Sequence, residues 1–356
     1  MHRRGEIRAV ALGASTIGAY TLFVLSTGRI PLGEFARLVS DYLAGAVFIF
    51  IVMGGCCVIV QLYRNRARNG EESLRPFAVV SRDIRARWCR DCFLSLFWPP
   101  LLFAILMASF NGFKQMVLPI AGFHLDPALA DADRALFLGI DPWRVTHAIF
   151  GSPGMTLFLD RAYHGWFAPM VVGVVLCAWL PASTYRLRTQ YLLSYIAVWI
   201  GIGSILAFLM PSAGPCFYSQ LVGPSPSFDE LMRRLVELQA ASGADFRAFE
   251  SQAILLGARG SSHLALGGGI SAMPSVHNAL AVLFAIAAFN ISRIAGLLFA
   301  AYALLIWIGS IHLGWHYALD GIVSAVLTFL IWSAMGRAAD WLDRPANGTE
   351  AQPALV

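Results

Sequence analysis

The stretch RIAGLLFAAYALLIWIGSIHLGWHYALDGIVSAVLTFLIWSAMG, residues 293–336, decides the fold. Two apolar runs, 294–311 and 321–336, flank one polar island, HLGWHYALD at 312–320. A hydrocarbon layer about 30 Å thick takes roughly 20 helical residues, so these runs read as two transmembrane helices joined at one membrane face. Working outward, runs of similar length, each bounded by charge or by Pro/Gly clusters, fall at 9–27, 42–62, 92–110, 158–180, 191–210 and 275–290. With the spans 294–312 and 318–336 they predict an all-α polytopic membrane bundle of about eight transmembrane helices. Asn290, Ser292 and Arg293 divide the sixth span from the seventh. The first run follows His2, Arg3, Arg4 and Arg8 but has no small-residue cleavage site leading into a soluble domain, so it reads as a helix and not as a secretory signal.

Composition agrees. Hydrophobic residues make up 58% of the 356 and charged ones only 13%, about half the charge of a soluble domain and too little to coat one. The chain divides into an N-terminal pair of helices with an Arg-rich connection (1–91), six helices carrying two long outer loops (92–336) and a tail (337–356). Lys and Arg collect on the cytoplasmic side of membrane helices. Placing the N-terminus inside puts 16 of the 26 basic residues in the cytoplasm, eight of them between Tyr63 and Asp91. Both termini are then cytoplasmic, and the net charge of +5 reads as topology and contact with anionic lipid heads; no nucleic-acid partner is expected.

Of six cysteines only Cys216 falls in an outer loop, which excludes a disulfide framework. Cys89 and Cys92 form a CxxC without a second pair, and small buried side chains explain them better than a metal does. Asn347-Gly348-Thr349 has the letters of a glycosylation acceptor but lies on the inner side. The outer loop 111–153 mixes Phe137, Trp143 and Phe150 with charges, as interfacial amphipathic helices do. The other, 211–273, opens with the irregular turn PSAGPCFY, continues through one or two short helices and ends in Gly267, Gly268 and Gly269.

Chemistry concentrates at one face. Seven of eight histidines, all but His2, fall in or beside outer segments. His277 stands in SAMPSVHNA, where Pro274 suits the first position of a helix and Ser275 its first turn. The free N–H groups of that turn and its partial positive charge match a phosphate, and His277 there is placed to protonate a departing oxygen. In GSIHLGWHYALDG, His316 and Asp320 are four residues apart, which predicts that both lie on one face of the eighth helix. A carboxylate holding one imidazole nitrogen leaves the other free as a nucleophile. The plainer reading, a His–Asp pair that only steadies a helix, does not explain why a second histidine motif converges on the same face.

These motifs resemble the type 2 phosphatidic acid phosphatases. Pro274, Ser275 and His277 match that superfamily's Pro-Ser-x-His motif, and His316 with Asp320 its closing His-x-x-x-Asp. The resemblance implies that His316 attacks phosphorus to form a phosphohistidine, Asp320 orients it and His277 protonates the leaving alcohol, with no metal or other cofactor. Two departures stand out: Gly309-Ser310 occupies the place of the family's Ser-Arg, and the apparent first motif, Arg68 with Arg75-Pro76, lies on the wrong side of the membrane. These departures, with PSAGPCFY and the YHGW at 163–166 near the outer end of the fourth span, make the chain similar to the branch of inositol phosphorylceramide synthases and their bacterial relatives. Candidate substrate ligands are Ser275, His312, His164, Tyr218, Arg259 and Arg161.

The function expected is an enzyme of a bacterial inner membrane, acting on lipid phosphate esters at the periplasmic face, with membrane lipids as partners. Water as acceptor makes it a phosphatase; an alcohol makes it a head-group phosphotransferase, the direction the missing Arg favours. A lipid transporter or scramblase is the alternative of another class, but polar residues spread through several helices would mark it, and here they collect at one face.

Overall fold

A computed structural model describes residues 2–69, 92–179 and 184–344. The connection 70–91, with Arg75-Pro76 and Cys89, and the sequon at Asn347 lie outside these described residues. Among them no strand occurs. The chain runs through α1 (His2–Ser26), α2 (Leu32–Asn69), α3 (Cys92–Gly112), α4 (Asp126–Leu136), α5 (Pro142–Phe150), α6 (Pro153–His164), α7 (Phe167–Trp179) and α8 (Tyr185–Ala197). After the second long loop, which carries α9 (Pro226–Ser242) and α10 (Arg247–Gly257), come α11 (Val276–Phe289), α12 (Arg293–His312) and α13 (Ala318–Leu342).

Seven stretches among the described residues are long and apolar enough to cross a membrane. The span expected at 275–290 is a helix of only 14 residues, α11, about 21 Å long by its rise. Irregular backbone at 270–275 precedes it. Ile270, Ala272, Met273 and Ser275 of that segment are buried, and its amides are met by protein: Ala272 N–H donates to Ser212 O at 2.9 Å and Met273 N–H to Ser212 Oγ at 2.8 Å. Non-helical backbone persists inside a membrane protein where protein supplies such partners. The turn at Asn290–Ser292 separates α11 from α12 as the polar residues there predict.

Lipid-facing surface is plain on the first two helices, where Leu22, Phe48 and Ile59 stand exposed. Both pack along α3, and α1 also meets α8 and α13. Helices α11, α12 and α13 contact one another, α8 closes on α11 and α13, and α6 lies against α12. The amphipathic α4 and α5 expected in the first loop are present, packed on α13 and α12 respectively.

Two expectations about helix ends need correction. The helical stretch of the fourth span begins at Pro153, because Ser152 caps its N-terminus by accepting from Met155 N–H; YHGW falls at a break between α6 and α7. The third span runs on past Asn111 through a widened turn, Phe113–Val117, and a tight one, Leu118–Ala121. A second widened segment, Val198–Leu206, extends α8. Insertions of this kind re-aim side chains and occur often at functional sites.

Candidate active site

The breaks and widened turns surround one cavity of about 190 Å³. Its walls are Lys114 on the first widened turn, Trp199 and Gly203 on the second, Tyr163, His164 and Trp166 at the α6/α7 break, and Val276 and His277 at the start of α11. The segment 266–271 and α10, through Ser251, Ile254 and Leu255, complete the lining. Eight Phe, Tyr and Trp rings line it, and among the described residues neither Arg nor a carboxylate borders the space.

His277 and His316 both face this cavity, ring centroids 5.6 Å apart. His277 is packed between Tyr163, stacked at 5.1 Å, and the edge of Trp166 at 4.3 Å. Ser275 is the N-cap of α11, accepting from Asn278 N–H; the helix starts at Val276, two residues later than Pro274 suggests. Ser275 is fully buried and does not border the cavity, so it shapes the turn that presents His277.

His316 precedes α13. Tyr317 is the N-cap and Asp320 the third helical residue, so the four-residue spacing expresses a helix-start turn and not a helical face. The pairing itself is present: His316 Nδ1 lies 3.3 Å from Asp320 Oδ2 and 2.9 Å from Ala272 O. In the neutral ring, two acceptors at Nδ1 favour the tautomer with the proton there and the lone pair on Nε2. Asp320 Oδ2 also accepts from Tyr317 N–H at 3.0 Å, which fixes the carboxylate against the backbone that carries His316.

Three buried aspartates, two on α4 and one on α6, hold the surrounding loops. Asp133 of α4 accepts from Ala318 and Leu319 N–H, the first amides of α13; burial nevertheless raises its pKa to about 6. Asp160 of α6 does the same for Arg247 and Ala248 at the start of α10. Asp126 accepts from Ala213 N–H, Gly214 N–H and Tyr317 Oη, tying the PSAGPCFY turn to the residue beside His316. Gly214 has φ +94, and a Cβ there would meet Trp315 O at 2.6 Å, so only glycine allows the turn to lie this close.

The remaining sequence candidates scatter. His164 borders the cavity, but Asp160 O takes its Nδ1 and Ser251 Oγ its Nε2. His312 is buried away from the cavity, stacked on His147 at 3.9 Å with Nε2 on Thr156 Oγ1. Tyr218 packs against Phe228, Arg259 stands over the ring of Phe123, and Arg161 donates to Asp245 O; none of the three borders the cavity. Sequence reasoning missed Lys114. Its signal was available: it is the one lysine in a chain of 25 arginines.

A sequence model described as the PAP2 superfamily matches residues 127–334. The chain belongs to the PAP2 superfamily. No curated protein and no solved structure matches it. PAP2 membership makes it a lipid phosphatase or phosphotransferase in kind, and seven long apolar helices make it an integral membrane protein. The PAP2 match runs from α4 into α13 and includes both histidine motifs, but begins beyond Lys114. At the place where the PAP2 resemblance calls for Arg, Ser310 is fully buried, donating to Trp307 O and facing the Asn278 amide at 3.5 Å.

Proposed function

We propose that the protein is a phosphotransferase that moves a phosphorylated head group between membrane lipids through a phosphohistidine on His316. The observation that carries this reading is the double hold on His316 Nδ1 by Ala272 O and Asp320, which leaves Nε2 basic beside His277 on one cavity. The Nε2 lone pair attacks phosphorus and the bond from phosphorus to the leaving oxygen breaks. Protonated His277 delivers its proton to that oxygen. Neutral His277 then takes the proton of an acceptor hydroxyl as its oxygen attacks the phosphohistidine, the N–P bond breaks, and both histidines return to their starting states. No metal or organic cofactor enters these steps.

An alcohol acceptor is favoured over water by the cavity's aromatic walls and by Ile254 and Leu255 of α10, apolar surfaces that limit water at the intermediate. With water as acceptor the same steps describe a phosphatase. The basic-residue count orients the cavity to the periplasmic face of a bacterial inner membrane, with both termini in the cytoplasm. Membrane lipids are the partners. The six helices from 92 to 336 form the catalytic unit, to which α1 and α2 are additions.

The test is the lipid-product profile by mass spectrometry, with phosphate release, from purified protein given phosphatidic acid, polyprenyl phosphate, phosphatidylinositol and ceramide. A new phosphorylated lipid, absent with His316→Ala, is the expected result. Free phosphate alone would convert the reading to a phosphatase, and products unchanged in the variant would remove the mechanism.

A further inference from the structure

The sequence spends 25 arginines and a single lysine, and the lysine is the residue that borders the cavity. Lys114 lies within the third membrane span, 97–121. Among the described residues its ammonium has no hydrogen bond and no ion pair; it stands over the ring of Phe110, 5.9 Å from Nζ to the ring centroid. An unpaired cation at membrane depth is costly and persists where something else supplies the opposing charge. Among the described residues no carboxylate borders the cavity to do so.

The backbone around Lys114 is built to hold it there. Asn111, three residues before, donates to Ala265 O and accepts from Gly268 N–H. Gln115, one residue after, donates to His263 O and accepts from Ala265 N–H. The widened turn 113–117 carries both Lys114 and the second anchor, Gln115. Gly269, at φ +95, crosses directly over it, where a Cβ would meet Lys114 O at 2.5 Å. The amides of Asn111, which also borders the cavity, and of Gln115 are thus taken up in clamping the loop 258–269, and the Lys114 ammonium stays free of that clamp.

We propose that Lys114 is the cation that binds the transferred phosphoryl group in this protein, from the wall of the cavity formed by α3 and in place of the arginine that Ser310 does not supply. This rests on the phosphoryl-transfer reading above. The Lys114 ammonium is a point charge with three donors, suited to neutralising phosphate oxygens without the planar fork of a guanidinium. His277 and His316 then complete the site with proton transfer and nucleophile, and neither has to carry the anion's charge.

Because no other lysine competes, amine-selective modification reads this one side chain. Reductive methylation of the full chain in detergent, followed by mass spectrometry of the peptide containing Lys114, is compared with and without saturating inorganic phosphate. The same pair of reactions is run on His316→Ala, in which phosphate binding needs no chemistry. Phosphate is expected to slow methylation of Lys114 by about tenfold or more in both proteins. In parallel, the rise in melting temperature given by phosphate is expected to vanish in Lys114→Met and to persist in Lys114→Arg. Methylation at an unchanged rate, or a full phosphate shift in Lys114→Met, overturns the assignment. If Lys114→Met does not fold, the methylation result alone decides. Activity surviving in His316→Ala would sink the phosphohistidine and leave the Lys114 result standing, so the two failures are separable.

Discussion

Two histidine pairs lie within one turn of each other and do different things. His277 and His316 border the cavity with their rings 5.6 Å apart. His147 and His312 are stacked at 3.9 Å inside the packed protein, His147 Nε2 on His312 O and His312 Nε2 on Thr156 Oγ1. His312 and His316 are four residues apart in one short connection. What separates them is the reversal at 313–317: Leu313 still bonds back to Gly309 O, while Trp315 and His316 N–H both return to Ser310 O, turning the chain toward the cavity. A histidine's chemistry is set by which side of such a turn it leaves.

That contrast breaks if the wrong pair carries the reaction. His316→Ala is expected to lower kcat by about 10⁴-fold or more, the effect of removing a nucleophile, in an assay of lipid product. His277→Ala should cost about 10³-fold by removing proton transfer to the leaving oxygen, and a substrate with a more acidic leaving alcohol should recover part of that loss. Asp320→Asn is expected to cost about 100-fold, less than the other two because Ala272 O still holds Nδ1. Asp133→Ala removes both acceptors from the first amides of α13 and should lower stability by about 2 kcal/mol, measured by chemical denaturation in detergent.

The smallest effects belong to the packed pair. His147→Gln should leave kcat within about threefold, since surrounding packing and not the reacting atoms feels the change. It should alter the pH dependence of stability instead. Burial holds His147 at about 4, below its ordinary 6.5, so the folded protein binds fewer protons there than the unfolded chain. Its contribution is complete above pH 6.5 and lost as pH falls toward 4. Thermal melts of His147→Gln between those values should therefore fall less steeply than those of the native chain.

Much of this was legible in the letters. Hydrocarbon thickness fixes the length of an apolar run, so the long spans could be read one at a time. The short α11 was harder, because its missing turn is replaced by backbone at 270–275 whose partners lie near Ser212, some sixty residues away in sequence. The spacing of His316 and Asp320 predicted their contact but on the wrong geometry, since a helix-start turn and a helical face bring residues four apart equally close. Phosphate ligands chosen by residue type, His312, Tyr218, Arg259 and Arg161, scattered away from the cavity; nothing local in a sequence says which way a side chain near a membrane face is turned.

By itself the sequence determined the solvent, the long helices and the two histidine motifs, because each depends on residues near one another along the chain. The tertiary structure decided which polar groups share a cavity. Asp126, Asp133 and Asp160 each act on loop or helix-start amides more than 80 residues away, and Lys114 shares a cavity with His277 and His316 only because a widened turn, a run of glycines and a broken helix close around one space. Those are long-range contacts between segments whose own sequences are equally content elsewhere.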